Sequence, residues 1–269
     1  MSTVTGRRES PKVVSQAAWL AARKELLTKE KEFTRLRDKL SRQRQELPWE
    51  KVEKEYVFDG PNGRETLADL FGGKSQLIVY HFMFGPGWQE GCQSCSFLSD
   101  HLDGAIVHLA ARDVSLVVVS RGPLAQIEAF KKRMGWRFRW VSSYANDFNY
   151  DYHVSFTKEE QAKGQVYYNY GMQTFPSEEG PGTSVFYKDG AGHTFHTYSN
   201  FGRGLDMLIG AYNWLDLVPK GRDEGGLAHT MAWVRHHDKY VEGYRVDAKA
   251  EYVQPAKTEH ACCEDEKHA

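Results

Sequence analysis

The pattern of apolar residues predicts an α/β domain in the middle of the chain. Residues 76–84 and 114–120 are short apolar runs rich in β-branched and aromatic residues, which is typical of strands buried on both faces. Residues 136–141 alternate as a third strand. Apolar residues at helical spacing follow the first strand, at 96–110, and the second, at 124–134. This order predicts a parallel sheet whose strands are joined by crossover helices.

Shorter elements are predicted on either side of this unit. They are an alternating strand at 51–58 with a turn at 59–63, a short helix at 65–71, an antiparallel hairpin at 183–188 and 193–198, and an amphipathic helix at 205–217. Residues 142–180 are crowded with Tyr, Phe and Asn and predict a long irregular insertion. An insertion of this length is typically functional or forms the wall of a cleft.

The amino-terminal part of the chain predicts one long helix after a disordered start at 1–14. Residues 15–47 carry an incomplete heptad-like apolar stripe, and Ser15 is a candidate cap. The stripe fits a homodimer or partner helix, but a helical arm that packs on its own domain is the preferred interpretation. The predicted organisation is a start and arm at 1–47, a main domain at 48–240 and a charged tail at 241–269.

Cys92-Gln93-Ser94-Cys95 stands where the first buried strand gives way to a helix. Free amides and the dipole at a helix start stabilise a thiolate, so Cys92 is predicted to be the more acidic, attacking thiol. Cys95, one turn further and partly buried, is predicted to be the resolving thiol. Two intervening residues allow the pair to close a disulfide, which predicts a dithiol switch.

Other uses of these cysteines stay open. A CxxC can be half of a zinc site, but zinc then needs a second pair of ligands. The remaining cysteines, Cys262 and Cys263, are adjacent in the polar tail, and their role is undetermined. Inert thiols are the third alternative. The histidine pairs at 193/196 and 229/236 are poorly spaced for a shared metal.

Composition narrows the class of protein. The 269 residues carry a net charge of −1, which argues against a general nucleic-acid or membrane-surface binder. No segment has the apolar length of a signal peptide or a membrane span. Together with only four cysteines, this predicts a cytoplasmic protein, where dithiols are kept reduced.

Several motifs resemble the bacterial thioredoxin-like proteins known as domain of unknown function 899. The resemblance runs from about residue 48 to residue 240 and rests on the motifs around 84–96, 121–123, 134–136, 147–152 and 198–205. It implies a three-layer thioredoxin-like fold with a mixed central sheet, extended here by the helical arm and the aromatic insertion. It also implies a dithiol-disulfide oxidoreductase without naming a substrate.

Four further residues are candidates for supporting the dithiol. Trp88 stands four residues before the first cysteine, where thioredoxins have Trp immediately before it; it is a candidate for lining a docking cleft, although core packing is the preferred interpretation. His81 falls near the position of a buried thioredoxin acid and is a candidate acceptor for the resolving thiol's proton, with a core histidine bonded to the backbone as an equally favoured interpretation. Arg121, at the end of the second strand, is a candidate for holding a thiolate or an anion near Cys92, and an ordinary surface arginine is the favoured alternative. Pro181 lies close to the position of the thioredoxin cis-proline.

The predicted function is cytoplasmic thiol-disulfide exchange with no bound cofactor. The partner would be a protein or a low-molecular-weight thiol or disulfide. Delivery of copper or zinc by Cys92 and Cys95 is the main alternative. A thiol peroxidase is the third, although Trp88-Gln-Glu-Gly91 offers no hydroxyl ahead of Cys92.

Overall fold

The computed structural model describes residues 11–258. The chain forms two compact units, one ending at Trp49 and one beginning at Glu50. In the first unit, helix α1 spans Gln16–Gln45. Its predicted cap is confirmed, since the Ser15 side chain accepts a hydrogen bond from the Ala18 amide at 3.3 Å. What this helix packs against stays a prediction. The start of the chain, through residue 10, lies outside the described residues.

The second unit contains ten strands and seven α-helices among the described residues. The strands are β1 Glu50–Lys51, β2 Val57–Gly60, β3 Gly63–Thr66, β4 Gln76–His81, β5 Val114–Ser120, β6 Arg139–Ser142, β7 Val166–Tyr168, β8 Gly171–Gln173, β9 Gly182–Lys188 and β10 Thr194–Phe201. The helices are α2 Leu67–Leu70, α3 Gln93–Ser99, α4 Asp103–Ala110, α5 Leu124–Arg133, α6 Phe148–Asp151, α7 Lys158–Ala162 and α8 Gly210–Leu215. Two 3-10 helices lie at Gly202–Leu208 and His237–Lys239.

The main sheet has eight strands in the order β1-β10-β9-β4-β5-β6-β2-β3. Strands β4, β5 and β6 are parallel, and all other pairs are antiparallel. Helices α3 and α4 join β4 to β5, and α5 joins β5 to β6. A parallel β-α-β-α-β unit followed by an antiparallel hairpin next to its first strand is a thioredoxin-like arrangement. The predicted α/β fold with a mixed central sheet is confirmed.

Each face of the sheet carries its own apolar cluster. Tyr80, Val118 and Trp140 belong to the cluster that contains both site cysteines, whereas Val79 and Val117 belong to the other. Successive strand residues point to opposite faces, so β4 and β5 contribute to both clusters. Burial of each such side chain stabilises the fold by roughly 1.5–3 kcal/mol. Both faces of these strands are therefore apolar, and the two faces differ in the elements that pack on them and not in polarity.

Several predicted elements are shorter than the sequence pattern indicated. Strand β4 ends at His81, and residues 82–84 continue as irregular chain. The helix predicted at 96–110 is divided into α3 and α4 by a turn at 100–102. The amphipathic helix predicted at 205–217 is the 3-10 helix Gly202–Leu208 followed by α8.

The third parallel strand begins three residues later than predicted. The amides of Arg137 and Phe138 donate to the Asp103 carboxylate, each at 2.9 Å, instead of to a neighbouring strand. The Trp136 indole donates to Asp100 at 2.8 Å. The Asp103 carboxylate thus accepts hydrogen bonds from backbone amides that the alternating pattern had predicted to pair with a neighbouring strand. Strand β6 therefore begins only at Arg139.

The aromatic insertion is more ordered than predicted. It contains α6, α7 and the hairpin β7-β8, and it contributes Phe156 and Tyr168 to a third apolar cluster with Phe201. Among the described residues, no helix is long and apolar enough to cross a membrane.

Candidate active site

Cys92 lies at the start of α3 because the chain folds back after β4. The Cys92 amide donates to the Met83 carbonyl at 3.0 Å, and the Cys92 carbonyl accepts from the Ser96 amide at 2.9 Å. The turn requires glycine at position 91, since a Cβ atom on Gly91 would lie 2.5 Å from the Phe82 ring. This close approach explains why a tryptophan cannot stand immediately before the first cysteine, as it does in thioredoxins.

Cys92 and Cys95 are both free thiols, each only 2% exposed. The Cys95 thiol and the amides of Cys95 and Ser94 hydrogen-bond to the Cys92 sulfur and lower the pKa of Cys92, although burial opposes them. Burial raises the pKa of Cys95 well above its usual value, and the neighbouring Cys92 sulfur raises it further. The two thiols are separated in acidity in the predicted direction.

Tyr80 is a site residue that the sequence analysis missed. It is buried on β4, lines a cavity with both cysteines, and its hydroxyl interacts with the Cys95 sulfur. Burial, followed by the charge of a Cys95 thiolate, raises the pKa of Tyr80 well above its usual value. The hydroxyl therefore remains a hydrogen-bond donor. The Met83 amide is a second donor to the Cys95 sulfur, at 3.5 Å.

His81 does not serve the dithiol, so the role suggested for it as proton acceptor is wrong. It follows Tyr80 on β4 and points to the opposite face of the sheet. There its Nε2 atom pairs with the Ser184 hydroxyl at 2.9 Å, and its ring lies 5.5 Å from that of Phe148 and 6.1 Å from that of Tyr152. Burial and the nearby His196 lower the pKa of His81 to about 3.

Arg121 is placed at the end of β5, as predicted, but it holds a carboxylate rather than a thiolate. Its Nε atom lies 3.1 Å from Glu179, which is 1% exposed, and its guanidinium lies over the Tyr150 ring at 4.6 Å. Burial raises the pKa of Glu179 to about 7, against the lowering effect of Arg121. The pairing explains why Arg121 does not reach toward Cys92.

Trp88 and Pro181 differ in their positions relative to the dithiol. Trp88 is buried in the core cluster that contains the cysteines, and its indole donates to Glu178 at 2.7 Å, so it packs rather than lining a docking cleft. Pro181 immediately precedes β9 and lines the same cavity as the dithiol. The peptide bond before Pro181 is trans, unlike that of the thioredoxin proline.

Two cavities meet at Cys92. The first, called here the polar cavity, has a volume of about 390 Å³ and is lined by Glu90, Cys92 and Pro255 among others. The second, called here the apolar cavity, has a volume of about 720 Å³ and is lined by Cys92, Cys95 and mostly apolar side chains. Only Cys92 of the two thiols lines both. The dithiol is thus buried, and the cavities give a small molecule access to it.

The last described residues close one side of the site. The Gln89 amide donates to the Ala256 carbonyl and the Thr258 amide to the Gly87 carbonyl, each at 2.8 Å. Tyr252 lines both cavities. The charge pattern that marked a tail from residue 241 did not anticipate these contacts. Cys262 and Cys263 lie outside the described residues.

The histidines of the two predicted pairs interact with different groups. His193 pairs with Asp189, and His196 with Ser199 at 2.8 Å. His236 pairs with the Gly91 carbonyl at 2.8 Å, while His229 lines the cavities. Across residues 11–258, no group of three or more His, Cys, Asp or Glu side chains could hold a metal ion.

The chain matches one protein family over most of its length. Residues 8–240 match the family described as bacterial protein of unknown function DUF899. The chain belongs to this family. The resemblance expected from the motifs is confirmed over most of the sequence. No curated protein matches the chain.

Solved structures with similar folds are distant in sequence. A cysteine-to-serine mutant of peroxiredoxin Q of Xanthomonas campestris is 12% identical, covering 59% of this chain and 90% of its own, with a TM-score of 0.39. Peroxidoxin BcpB of Mycobacterium tuberculosis is 12% identical over 61% and 94%, with a TM-score of 0.38. A thiol:disulfide interchange protein DsbE of Chlorobium tepidum, named as putative, is 14% identical over 61% and 97%, with a TM-score of 0.36.

Proposed function

We propose that the protein is a dithiol-disulfide oxidoreductase that exchanges disulfides through Cys92 and Cys95. One observation carries the proposal: two free, adjacent thiols at a helix start differ in acidity, and the more acidic one lines both cavities. Low thiol pKa at such a position is the usual basis of an attacking thiolate. The opposite environment of Cys95 suits a thiol that acts only after a mixed disulfide has formed.

The exchange is written in two balanced steps. The Cys92 thiolate attacks one sulfur of a disulfide R–S–S–R, forms a Cys92–S–S–R mixed disulfide and releases one RS⁻. Cys95 then loses its proton, attacks the Cys92 sulfur and releases the second RS⁻. The protein loses two electrons and two protons as the Cys92–Cys95 disulfide forms, and the substrate gains them as two thiols. The reverse sequence oxidises a dithiol.

The test uses a background in which Cys262 and Cys263 are both replaced by serine, so that only the site thiols remain of the four cysteines. This protein is equilibrated with reduced and oxidised glutathione in varied ratio, quenched with acid and measured by mass spectrometry. We expect loss of two hydrogen atoms with a single midpoint. Cys95→Ser should instead accumulate a glutathione adduct on Cys92, and Cys92→Ser should form little adduct.

Reactivity with iodoacetamide against pH supplies an independent measurement. We expect Cys92 in the Cys95→Ser variant to react at lower pH than Cys95 in the Cys92→Ser variant. Absence of any Cys92–Cys95 disulfide both across the glutathione series and with the neutral 2,2′-dithiodipyridine would overturn the proposal. Metal content after reducing purification, and consumption of a hydroperoxide, measure the two other uses of the same cysteines in the same preparation. The cytoplasmic location stays a prediction.

A further inference from the structure

The apolar cavity connects the buried dithiol with the protein surface. Both thiols are 2% exposed, so a folded protein cannot bring a disulfide onto them without displacing the chain around the site. The apolar cavity, by contrast, reaches from the cysteines to Thr230 and Arg203, which are exposed. A volume of about 720 Å³ lies within the range of small-molecule sites.

The lining of this cavity is mostly apolar. Besides Ser94 and Tyr252, which carry hydroxyls, it includes Tyr80, Met83, Leu98, Leu205, Ile209 and Met231. The first five of these last six are buried, and Leu205 and Ile209 belong to the same core cluster as the cysteines. This wall offers few hydrogen-bond partners to a polar ligand, chiefly the hydroxyls of Tyr80, Ser94 and Tyr252, so desolvation of polar groups here would cost free energy. Apolar ligand surface would gain from the same wall.

The charged side chains of the cavity are occupied with one another. Arg222 pairs with Asp206 and Asp216, each at 2.8 Å, and Arg203 pairs with Asp206 at 3.2 Å. With Glu224, the lining contains two arginines against three carboxylates. An anionic ligand therefore finds no excess of positive charge.

Glu224 is also held internally. Its Oε1 atom accepts hydrogen bonds from the Tyr212 hydroxyl at 2.8 Å and from the Trp233 indole at 2.6 Å. Burial lowers the pKa of His229, which keeps that ring neutral near pH 7. The charged groups of the lining are thus held in ion pairs and hydrogen bonds with other groups of the protein.

From this lining we infer that the apolar cavity is the substrate site of the exchange reaction and that it takes a small, neutral disulfide with apolar substituents. The inference rests on the proposed function and adds the substrate class to it. Cys92, which lines the cavity, attacks one sulfur of the bound disulfide, and Cys95, which also lines it, closes the protein disulfide. The two neutral thiols produced leave through the mouth at Thr230.

The experiment measures the rate at which disulfides oxidise the reduced Cys262→Ser/Cys263→Ser protein. Each rate is divided by the rate of the same disulfide with dithiothreitol, which removes differences in intrinsic reactivity. The series is diethyl, dipropyl and dibutyl disulfide, with cystamine as a cation, glutathione disulfide as an anion and insulin as a protein. We expect the corrected rate to rise by up to about fourfold for each methylene buried, and all three others to be slower than dibutyl disulfide.

A matched pair of variants identifies the cavity that is used. Thr230→Trp fills the mouth of the apolar cavity, while Val253→Trp places the same side chain on the polar cavity, where Val253 is 81% exposed. Both positions are on the surface, so neither change removes a core contact. We expect Thr230→Trp to slow oxidation by dibutyl disulfide about tenfold or more, as loss of a well-fitted apolar contact does. Val253→Trp should have little effect.

Failure of this inference is distinguishable from failure of the exchange function. If the Cys92–Cys95 disulfide forms but glutathione disulfide, cystamine or insulin reacts faster than dibutyl disulfide after correction, the substrate class is wrong. If Val253→Trp slows the reaction and Thr230→Trp does not, the polar cavity is the entrance. If no disulfide forms between the two cysteines with any oxidant, the proposed function itself falls.

Discussion

The two faces of the central sheet hold their buried polar groups in different surroundings. On one face, Tyr80 and Cys95 lie beside a cavity large enough for a small molecule. On the other, called here the closed face, a chain of hydrogen-bonded side chains lies near the rings of Phe148 and Tyr152 and lines neither of the two cavities. Its members, joined at 2.9, 2.9 and 2.8 Å, are His81, Ser184, Ser199 and His196.

Burial shifts the pKa of groups on both faces, so the shift alone does not identify a site. It lowers the pKa of His81 to about 3 and raises that of Cys95 well above its usual value. Of these two groups, Cys95 lines one of the two cavities described above and His81 lines neither. A perturbed pKa indicates function when access accompanies it, and otherwise reports the environment of a core polar group.

The largest expected effect concerns His81 and the pH dependence of stability. Its pKa in the folded state, about 3, lies below the usual value of 6.5. Between these values the unfolded chain binds a proton that the folded chain does not, so stability is lost as pH falls below 6.5. Relative to His81→Gln, which does not titrate, the wild type should lose about 3 kcal/mol between pH 6.5 and pH 4.

Urea unfolding at several pH values measures this difference. The Cys92 alkylation profile in the same variants provides the control, because His81 on the closed face should leave it unchanged. A parallel pH dependence in wild type and His81→Gln would show that His81 is not the responsible group. A shifted alkylation profile would instead return His81 to the dithiol.

The second expected effect concerns Arg121, which pairs with a buried carboxylate. Arg121→Ala leaves Glu179 buried without its cation, and loss of one partner of a buried pair is destabilising. Because the pKa of Glu179 is already about 7, the carboxyl can take up a proton and limit the loss, which we expect to be about 2 kcal/mol at pH 7.

Unfolding of Arg121→Ala, Glu179→Gln and the double variant separates the pair from its members. We expect the double variant to be less destabilised than the sum of the single changes, since neither charge is then left alone. Alkylation of Cys92 should be unaltered in all three. Slower alkylation in Arg121→Ala alone would restore the thiolate-holding role that the sequence had suggested.

The sequence located the dithiol and its helix because those features are local. Strand β5 has the predicted bounds, Ser15 caps α1, and Cys92 starts α3. Each depends on a short run of residues whose preferences agree with the fold. Strand β6 differs because its predicted first residues are held by the Asp103 carboxylate, a contact between distant segments that no local pattern contains.

The supporting residues were assigned less well because β4 is apolar on both faces. Alternation normally shows which side of a strand is buried, but a strand covered on both sides carries no such signal. The apolar pattern therefore does not separate His81, which packs in the core on one face, from its neighbour Tyr80, which lies beside the dithiol on the other. The closure of the site by residues 252–258 was also missed, since their charged surroundings resemble those of an unpacked tail.

The smallest expected effect, on Tyr80, tests which face holds the chemistry. The Tyr80 hydroxyl interacts with the Cys95 sulfur and favours its thiolate. Tyr80→Phe removes that donor and should raise the pKa of Cys95 further, which slows the attack of Cys95 on the mixed disulfide by roughly fivefold, about the value of one hydrogen bond. With 2,2′-dithiodipyridine and the Cys262→Ser/Cys263→Ser background, the first pyridinethione released reports Cys92 and the second reports Cys95. Only the second phase should slow, and Tyr152→Phe, the same change on the closed face, should alter neither. Equal slowing of both phases in Tyr80→Phe would mean that the hydroxyl shapes the site as a whole instead of assisting Cys95.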